Sequence, residues 1–151
     1  MKKRTDTQLT ELLGTALLQN ALMIDDIEVA YPVRDRGIDM LAYIDINSAR
    51  LFRAIPIQIK AATAEGFGVD KKYEKFSELR IVHIWHVHSN SNARFFLTNY
   101  EETKELANGR KTLANGRKNW HTSAPSEDLK KKLKKYEVLP GEWKRKLKLG
   151  S

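Results

Sequence analysis

Residues 54–61, which read AIPIQIKA, are the stretch on which the interpretation of the fold depends. Isoleucines alternate there with Pro56, Gln58 and Lys60, and successive side chains of a β-strand point to opposite faces of its sheet. The stretch therefore predicts a strand with one apolar face and one polar face, which carries Gln58 and Lys60 together. Pro56 has no N–H to donate, so it belongs near the start of the strand or on an unpaired side.

The segments around this strand predict the rest of the sheet. Strand-like runs at 27–33 and 38–46 precede it, and turn-prone residues separate all three, so a three-stranded meander is the simplest arrangement. Gly66 and Gly68 predict a loop, and the polar stretch 71–79 after it is compatible with a short helix. The runs 80–88 and 94–98 predict a hairpin around the turn-rich residues 89–92.

Helices are predicted on both sides of these strands. Apolar residues recur at helical spacing over 7–23, with Asp6 or Thr7 as N-cap, and form a stripe of Leu9, Leu12, Leu13, Ala16 and Leu17. Shorter helices are predicted over 100–106 and from Ser126 to about 137. This order of elements predicts one α/β or α+β domain over residues 1–151, with a mixed central sheet flanked by helices, in which 101–151 form a helical, basic C-terminal extension.

Composition narrows the classes of function. A chain of 151 residues with 41% hydrophobic and 30% charged residues is typical of a soluble globular domain, and it has no long uncharged run that could span a membrane. The N-terminus lacks the pattern of a signal peptide, so a cytoplasmic location is expected. Because there is no cysteine, any metal ligands must be oxygen or imidazole groups. Phosphate-binding GxxxxGK[ST] and nucleophile GxSxG motifs are absent from the sequence.

The formal net charge of +8 favours a polyanionic partner. Residues 127–151 hold nine Lys or Arg against four Asp or Glu, a net +5, although a solvated helix face would explain this run equally well. The sequence ANGRK occurs at 107–111 and again at 114–118, which predicts a basic loop, and a sharper interpretation is that this loop contacts phosphate. Candidate nucleic-acid contacts are Arg34, Arg36, Arg110, Lys111, Arg117 and Lys118.

Chemistry is indicated by Asp39, which ends the sequence RGID at 36–39 and precedes Gln58 by 19 residues. If their strands are neighbours, Asp39, Gln58 and Lys60 share one surface of the sheet. A carboxylate and an amide oxygen are hard ligands suited to Mg²⁺, while a lysine beside them can orient a water or stabilise charge on a phosphate.

The order of helix, strand, strand beginning with GID and strand containing IQIK resembles the PD-(D/E)XK nuclease superfamily. The resemblance covers residues 9–100 and is greatest to the Mrr-like restriction endonucleases and archaeal Holliday-junction resolvases, in which the third motif often reads QxK. It implies a restriction-endonuclease-like fold, a DNA endonuclease activity that requires Mg²⁺ or Mn²⁺, and a homodimer.

Roles for individual residues follow from the same resemblance. Asp39 would be the metal-binding acid, Gln58 would occupy the D/E position, and Lys60 would be the catalytic lysine. The backbone carbonyl of Ile59 would be a further metal ligand, and Glu11 would be the glutamate that many members contribute from the first helix.

Other interpretations of these residues remain open. Because Gln58 is neutral, the chain could instead be a catalytically inactive protein of the same fold that binds nucleic acid or a partner protein. RNA is a less favoured substrate than DNA. His83, His86 and His88 are unlike a zinc site, since alternation on a strand would point His83 away from the other two. Most of the tryptophans and tyrosines are expected in the core.

Overall fold

The structure is a computed structural model that describes residues 6–45, 47, 52–107 and 119–150. Its helices are α1 (Thr7–Ile24), α2 (Tyr100–Leu106), α3 (Glu127–Leu133) and α4 (Trp143–Lys146). Its strands are β1 (Glu28–Ala30), β2 (Met40–Tyr43), β3 (Ala54–Ala61), β4 (Phe67–Asp70), β5 (Arg80–Trp85), β6 (Arg94–Thr98) and β7 (Asn119–Thr122). Short 3₁₀ helices follow β4 and α3, at Lys71–Tyr73 and Lys134–Tyr136.

Five strands form a central sheet in the order β1-β2-β3-β5-β6. The first three are an antiparallel meander, β3 and β5 are parallel, and β5 and β6 form an antiparallel hairpin. The predicted mixed sheet flanked by helices is therefore confirmed. The bounds of β3 agree with the prediction, whereas β1 and β2 are shorter than the runs that predicted them.

The strand β3 extends beyond its neighbour β2. Pairing with β2 runs from Ala54 to Ile57, whereas pairing with β5 runs from Ile57 to Ala61. Residues 58–61 therefore have a paired strand on one side only. The uncovered edge opens onto a cleft.

A second, two-stranded sheet was not predicted. The predicted loop is present at Gly66 but wrong at Gly68, because Phe67–Asp70 forms β4 and pairs antiparallel with β7. Phe67 and Val69 are buried, in agreement with a strand that covers the core. Its partner lies about 50 residues further along the chain, beyond the reach of any local sequence pattern.

Helix α1 begins as predicted, since the side chain of Asp6 accepts a hydrogen bond from the backbone N–H of Leu9 at 3.0 Å. The apolar stripe predicted from the sequence is not the buried face of the helix, because Leu9 is 44% exposed and Leu12 is 62% exposed. The helix buries a different face, made of Thr10, Gly14, Leu18 and Leu22. Gly14 explains the choice, since the absence of a side chain lets the helix backbone approach Ala61 on β3.

The core lies on both faces of the central sheet. Helix α1 covers one face together with residues of the C-terminal segment, among them Trp143 and Leu147. The other face packs against β4, α2 and α3. No helix among the described residues has both the length and the apolar character needed to cross a membrane.

Candidate active site

Asp39 lies immediately before β2, at the uncovered edge of β3. Its backbone N–H donates to the carbonyl of Ile57 at 2.9 Å. Its carboxylate Oδ2 accepts from the backbone N–H of Ile59 at 2.7 Å. Gly37, with a φ of +97°, supplies the left-handed turn that leads the chain into this position. The acid is thus held against the strand that carries Gln58 and Lys60.

The environment of Asp39 favours its protonated form. Burial raises the pKa of the Asp39 carboxyl, the negative charges of Asp35 and Glu11 raise it further, and the Ile59 N–H and Lys60 oppose this rise. A half-buried carboxylate with a raised pKa next to another acid is a group that gains from a bound cation.

Gln58 points into the same cleft from β3. Its side chain is 8% exposed, and its Oε1 is buried with no hydrogen-bond partner in the part of the chain that the structure describes. The Nε2 group lies 3.5 Å from the carbonyl oxygen of Ile59. Buried polar atoms nearly always have partners. The side chain lines the cleft, and its Oε1 is an oxygen donor of the kind that a hard cation uses.

Lys60 lies two residues beyond Gln58, on the same face of β3. Burial lowers the pKa of the Lys60 ammonium, Lys72 lowers it further, and the charges of Asp39, Asp70 and Glu11 oppose the fall. The Nζ atom lies 5.5 Å from the centre of the Tyr73 ring, which is a cation–π distance. Tyr73 was missed at the sequence level because the stretch around it shows no clear periodicity.

The cleft has a volume of about 600 Å³ and is lined by all five residues that were predicted for catalysis or metal binding, namely Glu11, Asp39, Gln58, Ile59 and Lys60. Glu11 reaches it from α1, where it follows Thr10 and precedes Gly14 by three residues, two members of the buried face of the helix. His83 and His121 also line the cleft; the sequence offered His83 only as one of three histidines considered together, and it did not point to His121.

Those basic residues predicted to contact phosphate that the structure describes are not among the residues that line the cleft. Arg34 and Arg36 are exposed on the loop before β2, and neither lines the cleft, although Asp35 between them does. Arg110, Lys111, Arg117 and Lys118 lie outside the described residues.

The donor set fits a hard cation held by few protein groups. It consists of the carboxylates of Asp39 and Glu11, the orphaned Oε1 of Gln58 and the carbonyl of Ile59. Within the described ranges, no group of three or more His, Cys, Asp or Glu side chains could hold a metal ion. Mg²⁺ keeps several waters and uses one or two carboxylates, so two carboxylates together with neutral oxygens are ligands of a suitable type for this ion.

The three histidines of the sequence pattern do not form a cluster. Strand β5 ends at Trp85, and His86 turns the chain with a φ of +59°. His83 is fully buried, whereas His88 is exposed. The strand predicted over 80–88 therefore ends at Trp85, and the alternation that was expected to point His83 away from His86 and His88 does not extend to those two residues.

No protein-family model matches the sequence, and no curated protein matches it. Among solved structures, the chain is similar to a bacterial homing endonuclease, I-Ssp6803I, with a TM-score of 0.49 and 13% identity over 98% of this chain and 95% of the other. A likeness of this degree is too weak to carry a function from one protein to the other.

Proposed function

We propose that this chain is a metal-dependent endonuclease that hydrolyses phosphodiester bonds in DNA. The observation that supports this function best is the meeting of Asp39, Gln58 and Lys60 in one cleft at the open edge of β3. An acid, an amide oxygen without a partner among the described residues and a half-buried ammonium that line one cleft suit the handling of a phosphate with a cation.

Mg²⁺ or Mn²⁺ is the proposed cofactor, with Asp39, Gln58, the carbonyl of Ile59 and Glu11 as the groups that would hold it. When bound, the ion would neutralise charge on the phosphodiester and make water a better nucleophile. The hydrogen bond from the Ile59 N–H fixes one oxygen of the Asp39 carboxylate. Because that bond already holds the acid in place, the carboxylate does not have to rearrange during the reaction.

Lys60 is proposed to stabilise negative charge on the phosphate and to orient the attacking water. Its burial makes this charge more effective, because an ammonium in a partly dry cleft is poorly screened. The ring of Tyr73 limits the positions that the ammonium can take.

The partner proposed for this site is DNA. The net charge of +8 favours a polyanion, and Arg34 and Arg36 are exposed on the loop that leads to Asp39, where they would meet a backbone entering the cleft. Arg110, Lys111, Arg117 and Lys118 remain proposed phosphate contacts on the basis of the sequence. Two copies of the chain, one for each DNA strand, would be needed for a double-strand cut, which is the reason to propose a homodimer.

A plasmid-nicking assay with Mg²⁺ or Mn²⁺ tests the proposed function. Asp39→Asn and Lys60→Met should each remove nicking, because the first removes a proposed metal ligand's charge and the second removes the positive charge proposed to act on the phosphate. Asp26→Asn is a matched control for the acid, since Asp26 is exposed with a φ of +57°, a conformation that asparagine tolerates. Lys131→Met is the control for the lysine, because Lys131 is exposed on α3. Nicking that survives both site variants would contradict the proposal.

The neutral side chain of Gln58 favours a second candidate, a catalytically inactive protein that binds nucleic acid. Glu11, Asp35 and Asp39 line the cleft with carboxylates, but the neutral Gln58 adds no charge, so metal affinity would be lower than in a site made of carboxylates alone. In that case the protein would bind DNA without nicking it at any metal concentration, and Asp39→Asn would leave the binding constant unchanged.

A further inference from the structure

A chain of hydrogen bonds runs from α2 to the inner wall of the cleft. The hydroxyl of Thr103 donates to the carbonyl of Asn99 at 2.7 Å. Thr103 Oγ1 also lies 2.7 Å from Thr98 Oγ1, and Thr98 Oγ1 lies 3.2 Å from Nε2 of His83. Since the proton of Thr103 is already used, Thr103 accepts from Thr98. The proton of Thr98 is then used in turn, so Thr98 accepts from His83.

The direction of this chain fixes the tautomer of His83. Its imidazole carries its proton on Nε2, which leaves a lone pair on Nδ1. That Nδ1 atom is buried and has no hydrogen-bond partner among the described residues, and the side chain lines the cleft. The ring is 0% exposed and packs on Phe67 with ring centres 4.2 Å apart, so it is held in this orientation. Nδ1 of His83 is thus a hydrogen-bond acceptor on a side chain that forms the inner wall of the cleft.

Lys60 is a hydrogen-bond donor near this acceptor, since its charge acts on the His83 ring. Lys60 and His83 are directly paired in the parallel register of β3 and β5, so both side chains leave the same face of the sheet. Adjacent strands lie about 4.8 Å apart, which is shorter than an extended lysine side chain. Rotation about the lysine torsions can therefore bring its ammonium to the His83 lone pair.

We infer that His83 is a positioning residue of the site, whose Nδ1 orients the ammonium of Lys60 for its contact with phosphate. The inference rests on the proposed function. Carboxylates of Asp39, Asp70 and Glu11 also attract this ammonium, while Lys72 repels it. Besides Lys60, His121 also acts electrostatically on His83. A neutral acceptor differs from these acids because it directs the lysine without cancelling the positive charge that the phosphate requires.

Nitrogen NMR of the imidazole ring tests the first step without any need for activity. We expect His83 to show a proton on Nε2 and a pyridine-like Nδ1 in the protein without DNA. A proton on Nδ1 would overturn the inference, because the lone pair would then be absent from the cleft.

Two substitutions separate positioning from a structural role. In His83→Asn the amide replaces Nδ1 and the contact with Thr98 is lost, whereas in His83→Gln the amide replaces Nε2 and the contact with the cleft is lost. We expect His83→Gln to be the more stable of the two and to lose about tenfold to hundredfold in kcat with little change in KM, the usual effect of losing a supporting group. We expect His83→Asn to be less stable and to keep most of its kcat. Activity that follows stability instead would overturn the inference.

The NMR signal of the Lys60 ammonium keeps this test apart from that of the proposed function. We expect it to shift in His83→Gln and to stay near its wild-type position in His83→Asn. An unchanged signal in His83→Gln overturns the positioning role, even in a protein that nicks DNA. Absence of nicking by the wild-type protein would instead count against the proposed function.

Discussion

Gly14 of α1 lies so close to β3 that a Cβ atom placed on it would come within 2.5 Å of the Cβ of Ala61. Real Cβ atoms do not approach one another to this distance, so the contact requires glycine on the helix. Glu11 lies three residues earlier on the same helix. The contact between Gly14 and Ala61 therefore sets how closely Glu11 approaches the cleft.

Substitution Gly14→Ala should push α1 away from the sheet. We expect a loss of about 1–3 kcal/mol in the free energy of unfolding from overpacking, offset in part by the better helix propensity of alanine. Metal-dependent nicking should fall as Glu11 withdraws. Urea unfolding and the nicking assay measure these two effects. Adding Ala61→Gly should restore part of both, and a double variant no better than Gly14→Ala would contradict this explanation.

Substitution Gln58→Glu should make the stability of the protein depend on metal. A second buried carboxylate near Asp39 costs about 1–3 kcal/mol without metal, because the two charges repel and lose solvation. A bound cation removes that cost, so Mg²⁺ or Mn²⁺ should raise Tm more than in the wild type. Thermal unfolding with and without metal measures the difference. Gln58→Met is the control, which should show no metal response, and equal responses in Glu and Gln proteins would count against the site.

Stability should fall in acid because of His83. Full burial, aided by the charges of Lys60 and His121, lowers the pKa of His83 to about 3. The unfolded chain takes up a proton near pH 6.5 while the folded protein does not, so stability is highest above pH 6.5 and is lost as the pH falls toward 3. The slope should approach about 1.4 kcal/mol per pH unit.

Urea unfolding between pH 4.5 and 7.5 measures this slope. His83→Gln should flatten it, whereas His88→Gln, at an exposed position, should leave it unchanged. An identical slope in the wild type and in His83→Gln would rule out His83 as its source.

The carboxylate of Asp25 ties the end of α1 to the C-terminal segment. It accepts from the N–H of Gly141 at 2.9 Å and from the N–H of Trp143 at 3.1 Å. Asp25→Ala should cost about 1–3 kcal/mol and speed hydrogen exchange at these two amides, because both lose a charged acceptor. Asp25→Asn keeps one acceptor oxygen and should cost less. Unchanged exchange at both amides in Asp25→Ala would contradict the role given to this carboxylate.

Arg34 and Arg36 should contribute to the salt dependence of DNA binding. If each contacts one phosphate, replacing both with glutamine lowers the slope of log K against log salt concentration by about two, since fewer counterions are released. Fluorescence anisotropy at several salt concentrations measures this slope. Arg145→Gln is the control, because Arg145 lies on α4 and not on the loop that leads to Asp39. A slope that is the same in the double variant would remove these arginines from the interface.

Strands with a strong alternating pattern were predictable from the sequence. The AIPIQIKA stretch predicted β3 with the bounds that the structure shows, and the spacing of Asp39, Gln58 and Lys60 predicted that they would meet. Both predictions depend on the two-residue period of a strand, which local sequence records directly.

Features set by distant contacts were not predictable. Strand β4 has only four residues and a partner about 50 positions away, so Gly68 within it and Gly66 before it suggested a loop. The buried face of α1 is decided by Gly14, since leucines surround much of the helix and do not distinguish its faces. His83 was hidden among neighbouring histidines, and only the end of β5 at Trp85 separates it from them.

The parallel pairing of β3 with β5 affects how the protein reaches its working form. The hairpin of β5 and β6 closes over a short stretch of chain, but the β3–β5 and β4–β7 pairs join residues distant in sequence, and such contacts form late because ring closure must come first. Both the hairpin strands and the strand pairs that are distant in sequence contribute residues to the walls of the cleft. A half-folded chain would therefore hold its hairpins but lack the complete cleft, so the proposed nuclease activity would begin only when folding is complete.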